Sequence, residues 1–259
     1  AEILGYNYLG KHSGTLSSKT EDRYIARAYR EGARVVNMSY GITGGWVWSS
    51  YPYERMYHLM PKYQNMVFVR AAHNDGVNLK AVGYWSYATD ATQKPWKDLK
   101  NLILVGSVDK KKKIASYSNR PGGGCFREWV GGKWTKCKKR NKFKYFFVVA
   151  PGSKILAGKA NGGYTKLSGT SMAAPHVSGV VALLQDRWPA LKANAGAIAN
   201  IIFETAEDLG PKGIDVLYGH GLVRADRAMS PVGEPYLRNK NNVYSLSNST
   251  FNVSPTLSA

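Results

Sequence analysis

Short, continuous apolar runs recur along the first 230 residues and alternate with stretches of helical period. Residues 3–8, 35–38, 66–72, 102–105 and 146–149 have strand length and read as strands buried on both faces. Residues 18–31 carry a helical pattern opened by Ser18 and closed by Gly32; 170–188 form a long apolar helix stopped by Pro189, and 193–205 form another. Strands spaced by helices predict an α/β fold, a mostly parallel sheet with helices on both faces. At 259 residues and 44% hydrophobic content, the chain is large and apolar enough to bury one full core.

The alternation breaks at 121–147, where Gly, aromatic and basic residues suggest an inserted hairpin turning at Gly131 and Gly132. Cys125 and Cys137 flank that turn one residue out of opposition, an offset that a bulge or longer loop absorbs, and their spacing suits a disulfide formed in an oxidising compartment. The alternative, two unrelated thiols or half of a metal site, lacks a nearby His or second Cys pair. Beyond Ser230, Pro, Asn and Ser accumulate, so 1–230 reads as the domain and 231–259 as an extended linker or tail. The opening Ala-Glu-Ile-Leu, without an initiator Met, reads as the start of a processed or trimmed product.

A net charge of +19 attracts polyanions through the basic loops, with blocks at 110–113 and 136–144. A solvated surface explains the same charge, and no nucleic-acid module accompanies it, so no specific nucleic acid is expected.

The most informative run is Gly169-Thr170-Ser171-Met172-Ala173-Ala174-Pro175-His176. Pro175 suits a first helical turn, which places Ser171 at the positive end of the helix, where free backbone N–H groups bind an oxyanion. Ala174, Val177, Val181 and Leu184 then follow at helical spacing and bury the face that anchors the serine. A lone Ser at this place is ordinarily an N-cap.

The run matches the nucleophile motif of the subtilisin-like serine peptidases residue for residue, and the chain resembles that family over about residues 1–230. Other segments resemble it in the same order: Val36-Asn37-Met38-Ser39-Tyr40-Gly41, Ala71-Ala72-His73-Asn74-Asp75-Gly76, 114–120 and Val149-Ala150-Pro151-Gly152. The resemblance implies Ser171 as nucleophile and Asn74 as oxyanion donor, with substrate held by Ser39, Tyr40, Gly41, Ala72 and His73. Peptide or protein is the implied substrate. The family usually has Gly where His73 stands, so an imidazole here either narrows the specificity pocket or points elsewhere.

A serine nucleophile also needs a base and an acid that orients it. In the family, these are a His opening a helix and an Asp on an inner strand, and both precede the segment resembling 3–8. None of His12, His58, His73, His176 and His220 occupies the base's place in that order. The resemblance therefore implies an N-terminal fragment of the same protein, carrying Asp and His, as a partner without which this chain is inactive. The competing reading is an inactive member of the fold that uses its basic surface for adhesion.

The Cys pair, residues 215–221 and residues 227–233 look most like bacterial autotransporter passengers, which implies a secreted or cell-surface protein. No cofactor is required for this chemistry. Calcium is common in the family, but no ligand set is assignable here, and no metal-ligating residues are predicted.

Overall fold

In the computed structural model the described residues are 2–5, 18–40, 62–79, 82–84, 100–130, 133–134, 136–159, 161–230, 236–238 and 243–245. Four parallel strands form the central sheet: β1 (Val35–Met38), β2 (Val67–Ala71), β4 (Leu102–Val108) and β7 (Phe147–Pro151), adjacent in that order. Successive side chains of a strand face opposite ways, and the burial follows. Phe68, Leu104, Phe147 and Val149 join one buried cluster with Ile25 of helix α1 (Ser18–Arg30), while Val67, Val69, Ile103, Val105 and Val148 join another. That second cluster is closed by Ala173, Ala174, Val177, Val181 and Leu184 of helix α2 (Thr170–Arg187), and by Ile198, Ala199 and Ile202 of helix α3 (Ala195–Thr205). Asn194 caps α3 by accepting from the Ala197 N–H at 3.0 Å.

Strand β4 runs three residues beyond the predicted 102–105, because Gly106, Ser107 and Val108 continue the ladder with Val149, Ala150 and Pro151. At the start of the chain the prediction fails where it is visible: Glu2–Gly5 carry no strand, and Ile3 is 92% exposed with no ladder to hold it. Residues 6–8 lie outside the described ones.

Between β4 and β7, strand β5 (Phe126–Val130) pairs in parallel with β3 (Val82–Tyr84) and antiparallel with β6 (Lys133–Trp134). The pairing of Trp129 with Trp134 extrapolates to Lys138 opposite Cys125, yet the disulfide joins Cys125 to Cys137, their Cα atoms 5.8 Å apart. The offset is taken up after β6, where 136–138 leave the ladder and Cys125 bridges Lys142 instead. Strands β8 (Ile155–Gly158) and β9 (Tyr164–Leu167) form a hairpin immediately before α2. A short helix, α4 (Ala225–Ala228), ends the larger compact unit, Ala1–Met229; the smaller, Ser230–Ala259, contains the antiparallel pair β10 (Tyr236–Arg238) and β11 (Val243–Ser245).

Candidate active site

Pro175 lies one turn deeper in α2 than the sequence suggests, since the helix begins at Thr170. A proline at this depth cannot donate to the carbonyl four residues earlier, which is that of Ser171. That carbonyl is not orphaned: the Ser39 hydroxyl donates to it at 2.8 Å, and the Asn37 amide donates to Ser39 Oγ at 2.9 Å. Asn37 in turn accepts from the Ser178 hydroxyl at 3.0 Å. The proline therefore creates an acceptor that ties the end of β1 to the turn carrying Ser171.

Asn74 reaches the same turn from the loop after β2. Its Oδ1 accepts from the Thr170 N–H at 2.8 Å and the Thr170 hydroxyl at 3.0 Å. The backbone N–H of Thr170 only donates, so the amide must present Oδ1 to it and turn Nδ2 away as a donor. A side chain at 169 would start 3.3 Å from that Nδ2, so Gly169 keeps it uncovered. Among the described residues, none accepts from the Ser171 N–H or hydrogen-bonds the Ser171 hydroxyl, and Ser171 is only half-buried. Asn74 is thus tied to the residue that precedes Ser171 in the first turn of α2.

Sequence reasoning did not anticipate how residues 116–119 brace both arms of this site. Asn119 is buried; its Oδ1 accepts from the Asp75 and Val77 N–H groups at 3.0 and 3.2 Å, its Nδ2 donates to Asp75 Oδ2 at 3.1 Å, and its own N–H donates to the His73 carbonyl at 3.1 Å. Gly76 donates to the Tyr117 carbonyl at 2.7 Å; its φ of +66° and the Ser116 oxygen 2.6 Å from where a Cβ would sit both require glycine. On the serine side, the Tyr117 hydroxyl donates to the Gly152 carbonyl at 2.9 Å, and that carbonyl also accepts from the Gly169 N–H at 2.9 Å. Ser107 Oγ and Ser153 Oγ lie 2.8 and 2.9 Å from the same phenol. The one available signal was an Asn following Ser-Tyr-Ser at the end of a loop, since Asn side chains commonly bond neighbouring backbone.

Asn119→Ala leaves two N–H groups of the Asn74 loop without their acceptor, and the expected loss in urea unfolding is about 3 kcal/mol. Asn119→Asp restores the acceptors but sets a second carboxylate against Asp75. That variant is expected to be less stable than the wild type at pH 7 and to recover part of the difference as the pH approaches 4.

His73, beside Asn74, is one of three described non-glycine residues with positive φ, at 73°. Burial, and secondly the positive charge of Arg70, bring its pKa from 6.5 down to about 4 against the opposing pull of Asp75. The ring is therefore neutral at pH 7. Arg70 is a guanidinium in mid-strand, only 1% exposed, lying 5.8 Å over the Tyr40 ring. Between pH 6.5 and about 4 the unfolded chain binds the His73 proton and the folded chain does not, so stability rises with pH across that window and is lost as pH falls through it. His73→Gly removes both this titration and the positive-φ strain. Its urea midpoint should change less between pH 6.5 and 4.5 than that of the wild type, and equal slopes would refute this assignment.

Of the other expected site residues, Ala72 is fully buried beside the Asn74 loop, Ser39 and Tyr40 are half-buried after β1, and Gly41 lies outside the described residues. His12 and His58 also lie outside them. His176 places Nδ1 2.8 Å from the Met172 carbonyl, and His220 stacks on Phe203 at 4.5 Å, where burial lowers its pKa. Neither they nor His73 are hydrogen-bonded to Ser171. Among the described residues no group of three His, Cys, Asp or Glu side chains could hold a metal ion.

The sequence profile of the subtilase family, peptidase S8, matches residues 1–221. Subtilisin DY of Bacillus licheniformis is 30% identical over 218 residues, which cover 83% of this chain and 63% of that protein. Serotype-specific antigen 1 of Mannheimia haemolytica is 36% identical over 138 residues, 51% of this chain and 13% of the antigen. The chain therefore spans less than two thirds of the length of these relatives. The solved structure of the prenylagaramide maturation protease PagA superposes with a TM-score of 0.57 at 26% identity, covering 85% of this chain and 70% of that one. That of the patellamide maturation protease PatA gives 0.56 at 24%, covering 84% and 70%, a likeness of fold.

Proposed function

Because the chain belongs to the subtilase family, we propose that it is the serine-bearing part of an endopeptidase that cleaves peptide bonds through an acyl-enzyme on Ser171. The observation that carries this reading is the fixed Asn74 amide. With Oδ1 committed to Thr170, its Nδ2 and the Ser171 N–H are the two donors that meet a carbonyl oxygen as it becomes negative. Ser171 attacks the carbonyl carbon, the oxygen moves into these donors, and collapse of the tetrahedral species expels the amine. Water then releases the acid from the ester. Extended substrate lies against Ser39, Tyr40 and Gly41 by strand addition, with His73 beside the side chain that precedes the scissile bond and the fully buried Ala72 behind it in the core.

The proton on Ser171 needs a base. The described histidines are engaged elsewhere, and β1 pairs only with β2 among the described strands. An N-terminal segment of the same protein, bringing an Asp on a strand along the side of β1 away from β2 and a His on a helix, completes the triad in this reading. The protein acts outside the reducing cytosol, secreted or at a bacterial surface as an autotransporter passenger. The Cys125–Cys137 disulfide supports that location, as does the likeness to the extracellular serine protease of Serratia marcescens, 50% identical over 70 residues that cover 27% of this chain and 6% of that protein.

The test is proteolysis of an unfolded protein such as reduced casein by the full-length protein, with the new termini identified by mass spectrometry. Cleavage that disappears on deleting the N-terminal segment and returns when it is supplied as a separate polypeptide supports the proposal. Cleavage by residues 1–259 alone contradicts the need for the segment. No cleavage by the full-length protein favours an inactive binding protein on the same fold.

A further inference from the structure

The insert between β4 and β7 holds cations in a way that a merely solvated surface does not require. Residues 121–147 contain eight Lys and Arg against the single Glu128. Lys133, Lys136, Lys138 and Lys139 are exposed, and none is ion-paired among the described residues. The backbone that carries Lys138 and Lys139, with Lys136 directly before it, is anchored at three points within seven residues. Cys137 is bonded to the fully buried Cys125; Asn141 is buried, its amide 3.4 Å from the Phe126 carbonyl; Phe143 is buried edge-on against Phe126 at 4.6 Å and donates from its N–H to Gly124 at 3.0 Å. Three lysines in the space of four residues are thus set on a frame with little backbone entropy left to lose on binding.

The other lysine block is built differently. In the turn after β4, Asp109 accepts from the Lys111 and Lys113 N–H groups at 2.8 and 3.0 Å, and Lys112 pairs with Glu207 at 2.6 Å. Glu207 and Asp226 also bind Arg224. Acids temper that block, and none of these contacts reaches the insert.

We propose that Lys136, Lys138 and Lys139, with Lys133, form a binding site for a sulfated or phosphorylated polysaccharide. Ammonium groups are compact point charges that read charge density, which suits anionic groups spaced along a glycan chain. A bilayer is the poorer fit, since among the residues whose burial is described the exposed large apolar ones, among them Leu156, Tyr164 and Leu183, lie outside the insert, and interfacial binding needs apolar side chains to bury. In the location outside the cytosol proposed above, on which this choice of ligand rests, surface glycans rather than intracellular nucleic acids are the prevalent polyanions. The site is independent of catalysis by Ser171.

Binding of the full-length protein to immobilised dextran sulfate, followed across a salt series, tests this. The exposed triple variant K136E/K138E/K139E should bind about tenfold more weakly or worse, with a log–log salt slope reduced by about 2 to 3. K110E/K111E/K113E makes the same change in net charge elsewhere and should bind within about twofold of the wild type. Unchanged circular dichroism establishes that both variants are folded. Equal weakening by the two triples reduces the effect to overall charge and overturns the site, as does no weakening by the first. Tighter binding to single-stranded DNA or to phosphatidylglycerol vesicles at matched charge overturns the polysaccharide as its ligand.

Discussion

Ser171→Ala lowers kcat for peptide hydrolysis by the full-length protein by a factor of about 10⁶, the scale of loss when a triad nucleophile is removed. The fold should be indifferent to the change. The Ser171 side chain is half-buried, no described residue hydrogen-bonds its hydroxyl, and Ser39 bonds the backbone carbonyl that alanine retains. Denaturation midpoint and substrate KM should stay near wild type while turnover disappears. Gly169, not Ser171, is the N-cap of α2, so if Ser171→Ala instead loses stability and activity together, the hydroxyl has a structural role other than capping.

The second large effect is at Asn74. Asn74→Ala removes the side-chain donor to the developing oxyanion and should cost about 10²- to 10³-fold in kcat with little change in KM. It also leaves the buried Thr170 N–H without its acceptor, so a loss of about 1–3 kcal/mol in stability accompanies it. Thr170→Val separates the two consequences. It replaces only the hydroxyl that shares Oδ1 with the backbone N–H, leaves that N–H in place to keep the amide's sense, and should lower kcat by up to about tenfold as an amide held by one bond instead of two is less firmly positioned. A Thr170→Val enzyme with full kcat would mean that the amide needs no such positioning.

The parallel sheet was legible because strands buried on both faces read as uninterrupted apolar runs, and the helical pattern that closes one face lies in the same segment as the serine. Arg70 did not hide β2 despite being charged, since the residues around it are apolar at every position. The β8–β9 hairpin was missed for the opposite reason. β8 alternates half-buried and exposed positions, but the exposed ones include Leu156, and Tyr164 of β9 is exposed too, at 63% and 73%, so the apolar–polar alternation of a half-buried strand is absent from the sequence. Pro175 misled because the rule against proline inside a helix assumes the freed carbonyl has no other donor, and Ser39, 132 residues earlier, supplies one. The bracing by Asn119 and Tyr117 depends on contacts over 35 to 44 residues of sequence, beyond the reach of local pattern. The sequence nominated Ser171 and Asn74 for the chemistry proposed here; how Asn74 is turned, and what holds it, came from the fold.

In the proposed enzyme Ser171 becomes a reactive nucleophile once the rest of the catalytic apparatus is present. Fluorophosphonate labelling of the folded full-length protein, with the modified peptide located by mass spectrometry, measures that directly. The expected result is one label per protein on the peptide containing Ser171, slowed strongly by Asn74→Ala and abolished by unfolding in urea. Absence of label in the folded full-length protein, or label on a different serine, would show that Ser171 is not the nucleophile.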